Sequence, residues 1–232
     1  VLAVGCCGYQ DPDGLERLIE SCWRNVDLFI HVDGAFKNFP YVDNWEEHDN
    51  NNSKTAEILH RYPNIIRKAT ACYFEYQKRQ VYLDVCKEYG VDWLIIADTD
   101  EYFHDCDWGE FSAERERVCS GNDYLYNLKN YTVVGGLLLG LDQPRLIKNP
   151  SKLQYIEGHH YMLAEKGTDK ALVAKDTLYS IKLCHDPSIR SPERQAKHDA
   201  YIKWLGRYET ERMLYETPKE KENRERCVYA GC

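Results

Sequence analysis

Trp93-Leu94-Ile95-Ile96-Ala97-Asp98-Thr99-Asp100-Glu101-Tyr102-Phe103 decides the fold. Five apolar residues followed by acids at alternate positions read as a buried strand whose carboxyl end opens into a polar turn. Upstream, Val81, Tyr82, Val85, Cys86 and Tyr89 recur at helical spacing until Gly90, and Lys78-Arg79-Gln80 is expected to open that helix. Residues 1–5 and 28–32 are two more apolar runs. Between them Leu15, Leu18, Ile19, Cys22 and Trp23 form one helical stripe, and Ile65-Ile66 suggests a further short strand. This alternation predicts an α/β fold with an open, mainly parallel sheet flanked by helices on both faces. Ligands of such sheets bind beyond the carboxyl ends of the strands, here after Val4, Val32 and Ala97.

The second half is less regular. Residues 124–128, 131–134 and 177–184 read as strands, with Gly135-Gly136 and Gly140 as breakers. Tyr201, Trp204, Leu205 and Tyr208 mark a helix over 195–208, and the mixed charges of 207–226 predict a solvated helical tail. Composition bounds the function classes. With 232 residues, 43% of them hydrophobic and 29% charged, the chain is globular rather than disordered. No apolar run approaches the about 20 residues of a membrane-spanning helix. The net charge of −8 argues against a general nucleic-acid binder. An acidic protein that holds a phosphorylated ligand needs a cation or a focused basic cluster. The ten cysteines contain no CxxC, so zinc-ribbon and thioredoxin-like motifs are absent, and reduced, structural thiols are expected.

In an extended chain Asp98 and Asp100 project to the same side. Two such carboxylates repel unless a cation or hydrogen bonds offset the cost, and oxygen ligands suit Mg²⁺ or Mn²⁺. The plainer alternative is a strand-end loop whose acids meet solvent. The whole segment from Trp93 to Phe103 resembles the DxD segment of GT-A fold glycosyltransferases, particularly family-2-like members with a hydrophobic strand, DxD, Glu and an aromatic residue. The resemblance implies a GT-A-like (Rossmann-like) fold with an irregular acceptor-side second half. It implies one catalytic domain over 1–208, with a nucleotide-sugar half (1–105) and an acceptor and diphosphate half (106–208), and a charged tail over 209–232. Asp98 would then meet the ribose or a metal-bound water, or join the metal site itself. Asp100 would chelate the ion, and Glu101 would support them. Arg79 matches the family's basic residue facing the nucleotide or diphosphate, although an exposed helical Arg without a role fits as well. Asp33 matches an acid that receives the base or ribose, with a turn-forming Asp-Gly as the alternative. No GxGxxG follows the first strand, which speaks against a dinucleotide-binding Rossmann protein.

A second segment ends the strand at His185, and Ser191-Pro192 then starts a helix. Such a start is an anion site in waiting, flanked here by Arg190 and Lys197. By the same resemblance His185 becomes a third metal ligand, and Arg190, Ser191 and Lys197 contact the diphosphate. An imidazole ligand favours Mn²⁺ over Mg²⁺. The implied activity is transfer of a sugar from a UDP- or GDP-linked donor to a glycan or other hydroxyl acceptor, inverting with a carboxylate base. Glu157, beside Gly158-His159-His160, is the candidate base and Asp142 the runner-up. His159 and His160 suit acceptor hydroxyls or packing. Trp45, Trp108, Tyr131 and Tyr161 suit sugar stacking or, more simply, core packing. A catalytically silent nucleotide- or glycan-binding module is the competing class. A DxD phosphohydrolase is disfavoured by Tyr102 at the Thr/Val place of its motif, and a sugar nucleotidylyltransferase by the lack of a Gly-rich, Arg-bearing opening loop. Without an apolar leader in this sequence, a cytoplasmic protein is expected. N-x-[ST] triplets stand at Asn51 and Asn130, and two such triplets arise easily by chance.

Overall fold

The computed structural model describes residues 1–8, 11–34, 53–70, 72, 75–121, 123–134, 137–156 and 162–186, with isolated positions from 192 to 203. Glu157, Arg190, Ser191, Lys197, Trp45, Tyr161, His159, His160, Asn51 and the charged tail lie outside the described residues.

The first half alternates as the periodicity predicts. Strand β1 (Leu2–Gly8) leads to helix α1 (Pro12–Cys22), β2 (Leu28–Asp33), α2 (Ser53–Arg61), β3 (Ile65–Ala69), α3 (Glu75–Glu88) and β4 (Trp93–Asp98). The chain continues through β5 (Glu101–Phe103), α4 (Trp108–Cys119), β6 (Leu125–Val134) and β7 (Leu137–Lys148). A 3-10 turn at Pro150–Lys152 precedes β8 (Leu153–Tyr155), β9 (Leu163–Glu165) and β10 (Thr177–His185). Strands β8 and β9 form a separate small hairpin. The others make one sheet in the order β3-β2-β1-β4-β7-β6-β10-β5. Strands β3, β2, β1 and β4 run parallel, as do β6 and β10, whereas β7 is antiparallel to β4 and β6, and β5 to β10.

Strand alternation divides the core. Val4, Cys6, Phe29, Ile95 and Ala97 face Leu15, Leu18, Ile19 and Cys22 of α1. Ala3, Ile30, Val32, Leu94 and Ile96 face Tyr82, Leu83, Val85 and Cys86 of α3. Each such Leu or Ile contributes about 1.5–3 kcal/mol on burial. Because β1 pairs with both β2 and β4, the strand order reverses direction beside β1, and the carboxyl ends of β1, β2 and β4 come together at that switch point, where ligands of such sheets bind.

Four local expectations change. Helix α3 begins at Glu75, so Lys78 and Arg79 lie inside it rather than at its start. Residues 125–134 form one strand, since Lys129 and Asn130 stay in the ladder opposite Asp142 and Leu141. Gly140 does not break β7, because the Tyr131 ring of the neighbouring strand covers it, 2.9 Å from where a Cβ would stand. Helix α4 was not anticipated. It is capped by Asp107, whose side chain accepts from Glu110 N at 2.8 Å, and it buries only Phe111 and Glu114. The eight described cysteines are free thiols, as expected.

Candidate active site at the carboxyl ends of the strands

The polar turn after β4 is closed by its own side chain. Glu101 Oε2 accepts from Asp98 N at 2.8 Å, while Asp98 ends β4 and Glu101 starts β5. The chain therefore reverses between the two aspartates, and the extended geometry that would send both one way does not hold. Asp98 turns to two arginines: Oδ1 accepts from Arg79 at 2.9 Å and Oδ2 from Arg145 at 3.1 Å. Asp100 instead lies 3.1 Å from His185 Nε2, with Asp186 N donating to its backbone carbonyl at 3.2 Å. Thr99 wedges the turn against the start of the chain: a Cβ on Gly8 would stand 3.0 Å from its methyl group, and one on Gly14 would collide with its carbonyl.

A charged network supports this turn. Arg79 is buried and also bonds Glu75, one helical turn earlier, at 2.9 and 2.7 Å. The sequence expectation placed Arg79 against a diphosphate; here it braces Asp98. Arg145 reaches Glu101 Oε1 at 2.6 Å and Gln143 Oε1 at 3.2 Å. Asn130 Nδ2 donates to Glu101 at 2.7 Å and to Gln143 at 3.0 Å. Burial pushes Glu101 up to about 7, with Arg145 pulling the other way. Among the described residues the cluster holds four carboxylates (Glu75, Asp98, Asp100, Glu101) and two guanidiniums (Arg79, Arg145).

The ends of β1 and β2 lie beside this turn. Lys78, buried in α3, donates to the Gly8 carbonyl at 2.9 Å and to the Gly34 carbonyl, tying the two strand ends together. Gly34 takes φ +117°, a conformation that favours glycine. Asp33 is not an exposed turn residue: it is fully buried, ends β2 and is ion-paired to Arg67 of β3. Its Oδ1 has no hydrogen-bond partner among the described residues, nor do Arg67 Nε and His31 Nδ1. Buried polar atoms left open in this way are costly unless a ligand or water completes them.

The remaining sequence candidates separate. His185 and Asp100 are brought together from positions 85 residues apart. Asp142 lies on β7, where Lys129 at 2.5 Å and Thr177 at 3.2 Å engage it, and the Lys129 hydrogen bond holds its carboxyl below the ordinary range. Gln143, the next residue, points into the network, so Asp142 faces the opposite side of the strand. Among the described residues no group of three His, Cys, Asp or Glu side chains is arranged to hold a metal ion. Trp108 packs on Phe103 and Phe111, in line with the core alternative. Sequence reasoning missed Arg145, Asn130, Gln143, Lys78 and Arg67 as site residues. Glu75 and Arg79 were legible as an i, i+4 pair. Pro144, between Gln143 and Arg145, was the available sign of a distorted strand beside Arg145.

The fold and the site define an α/β protein with a Rossmann-like sheet and a polar side-chain network at its carboxyl edge. No protein-family model and no curated protein matches the chain. Solved structures with a similar fold include S. aureus TarS 1-349, at 13% identity and TM-score 0.42 over 61% of this chain. That match spans 38% of the TarS chain. A 4-diphosphocytidyl-2C-methyl-D-erythritol synthase matches at 11% identity and TM-score 0.44, covering 87% of this chain and 98% of its own. The synthase from Anaerococcus prevotii DSM 20548 matches at 10% identity and TM-score 0.40, covering 64% and 70%. No helix among the described residues is long and apolar enough to cross a membrane.

Proposed function

We propose that this chain is a metal-dependent glycosyltransferase that moves a sugar from a nucleoside diphosphate sugar, UDP- or GDP-linked, to an acceptor hydroxyl. The observation that carries the proposal is the meeting of Asp100 with His185 at the carboxyl edge of the sheet, 3.1 Å apart. A carboxylate beside an imidazole suits Mn²⁺, with Mg²⁺ as the alternative. The surplus of carboxylates over guanidiniums around them suits a cation. Asp100 and His185 would hold the ion, and Asp98 would act as their brace through Arg79 and Arg145. When bound, the ion supplies positive charge to a leaving diphosphate.

The chain's own residues do the rest. Asp33, held by Arg67, is the acid that the resemblance assigns to the base or ribose of the nucleoside; its Oδ1 is buried and without a hydrogen-bond partner among the described residues. Lys78 fixes the Gly8 and Gly34 carbonyls that flank it. Arg190, Ser191 and Lys197, following His185 in sequence, would offset charge on the diphosphate. Glu157 would take the acceptor's proton as the acceptor oxygen bonds the sugar's anomeric carbon. The bond to the diphosphate then breaks, and its electron pair leaves with the diphosphate. Two residues before Glu157 in the sequence, Tyr155 is anchored to α3 by Gln80 Oε1 (2.9 Å, to Tyr155 N) and by the Tyr82 hydroxyl (2.5 Å). A phosphohydrolase using Asp98 as nucleophile fits poorly, since both its oxygens are held by guanidiniums. Free thiols suit a reducing compartment such as the cytosol.

The test is turnover of a panel of UDP- and GDP-sugars with Mn²⁺ or Mg²⁺, comparing wild type with Asp100→Asn and His185→Ala. One donor is expected to be hydrolysed or transferred, with a loss of about 100-fold or more in Asp100→Asn, as befits several kcal/mol of charge stabilisation. Turnover of no donor, or variants equal to wild type, would contradict the assignment.

A further inference from the structure

Arg17 differs from the other basic groups around the acidic turn. Arg79 and Arg145 are buried and hydrogen-bonded to carboxylates at 2.6–3.1 Å, and Lys78 is spent on two backbone carbonyls. Arg17 projects from the middle of α1 with its side chain 37% exposed. Its guanidinium carbon lies 3.6 Å from the centroid of the Tyr102 ring on β5. That ring is itself seated, edge-on to His104 at 6.1 Å and hydrogen-bonded to the Cys184 thiol opposite it in the ladder. A guanidinium stacked at this distance gives its face to the ring, and its N–H groups, which lie in its own plane, stay directed outward. Asp186 is paired with it at 3.6 Å from Nη1, too far for a hydrogen bond, so the two share charge without using those donors. The same Asp186 donates its N–H to the Asp100 carbonyl at 3.2 Å and follows His185, which places Arg17 beside the Asp100–His185 contact.

We propose that Arg17 binds a phosphate of the ligand, its stacked guanidinium donating two in-plane N–H groups to phosphate oxygens. The inference rests on the nucleotide-sugar reading above, adds a contact from α1 to it, and requires no metal ion. Tyr102 fixes the plane of the guanidinium in advance, so little side-chain freedom is lost when an anion arrives. A phosphate accepts from both arms of the fork, whereas Asp186 takes neither. Asp186 therefore competes for the charge of Arg17 until the phosphate displaces it.

The test is isothermal titration of UDP and GDP, with chelator and again with Mn²⁺, into wild type, Arg17→Gln, Arg17→Lys and Asp186→Asn. Arg17→Gln is expected to weaken the nucleotide that binds by about tenfold or more, the worth of a charge-assisted hydrogen bond. Arg17→Lys keeps the charge without the fork and should recover only part of that loss. Asp186→Asn should move the other way, binding about twofold or more tightly, because the competing carboxylate is gone. General damage to this corner of the fold would weaken both. Arg17→Gln that binds as tightly as wild type, or Asp186→Asn that binds no more tightly, overturns the inference and leaves the nucleotide-sugar reading standing. Wild type that binds neither nucleotide, with or without Mn²⁺, overturns both.

Discussion

Burial pushes the His31 imidazole down to about 3, although Asp33 two residues on pulls it upward. The ring sits at the carboxyl end of β2, where a Cβ on Gly8 would stand 2.6 Å from its Nε2. It is neutral in the folded state and takes up a proton on unfolding below about pH 6.5. The unfolded state therefore binds the extra proton, and stability falls as pH drops from about 6.5 toward 3. The slope from this one group is about 1.4 kcal/mol per pH unit. Urea unfolding at several pH values between 4.5 and 7 should show His31→Gln losing that part of the slope; identical slopes in both proteins would contradict the burial argument. Asn130 shows the same lesson differently. Its N-x-[ST] triplet has the form of a glycosylation sequon, but the amide is buried and spent on Glu101 and Gln143, so the folded chain does not present it.

At the scale of elements, helix α1 is held where its first turn meets the acidic turn after β4. Asp11 caps the helix, its Oδ1 accepting from Gly14 N at 3.3 Å, and Pro12 opens it. A Cβ on Gly14 would collide with the Thr99 carbonyl. Gly14→Ala is therefore expected to destabilise the protein by about 1–3 kcal/mol, the usual cost of overpacking. The contrasting change is Gly109→Ala in α4, whose added methyl would meet nothing nearer than Asp107 Oδ1 at 3.4 Å. It should stabilise by up to about 1 kcal/mol through helix propensity. Chemical denaturation of both variants checks the pair, and a neutral Gly14→Ala would mean that α1 is not docked on the acidic turn.

The same elements show what could be read in advance. Strands β1, β2 and β4 and helices α1 and α3 carry clean apolar periods, and their core residues pack as those periods require. Strand β7 was hidden because Gly140 and Pro144 look like breakers when read alone. Only the Tyr131 ring across the ladder and the bulge at Arg145 make them tolerable, and both are contacts between distant parts of the chain. Helix α4 was hidden because its buried face includes Glu114, satisfied by Tyr179 N at 3.2 Å and Ser180 N at 3.3 Å. In the candidate site, Asp100 and His185 were singled out by the resemblance and by position near strand ends, and the structure sets them 3.1 Å apart, whereas the turn that separates Asp98 from Asp100 depends on Glu101, Arg79 and Arg145.

The whole molecule carries a net charge of −8, and Asp98, Asp100 and Glu101 lie together on one turn at the carboxyl edge of the sheet. The strand order reverses beside β1, where the buried Asp33 and Lys78 and the Asp98–Glu101 turn meet the strand ends. Nucleoside diphosphate and Mn²⁺ are therefore expected to bind together. Isothermal titration of UDP and GDP, with Mn²⁺ and with chelator, tests this most directly when wild type is compared with Asp100→Asn. One of the two nucleotides should bind about tenfold or more tightly with Mn²⁺, and Asp100→Asn should abolish that gain. Binding of neither nucleotide, or a gain that survives Asp100→Asn, would contradict a metal-dependent nucleotide-sugar site at this edge of the sheet.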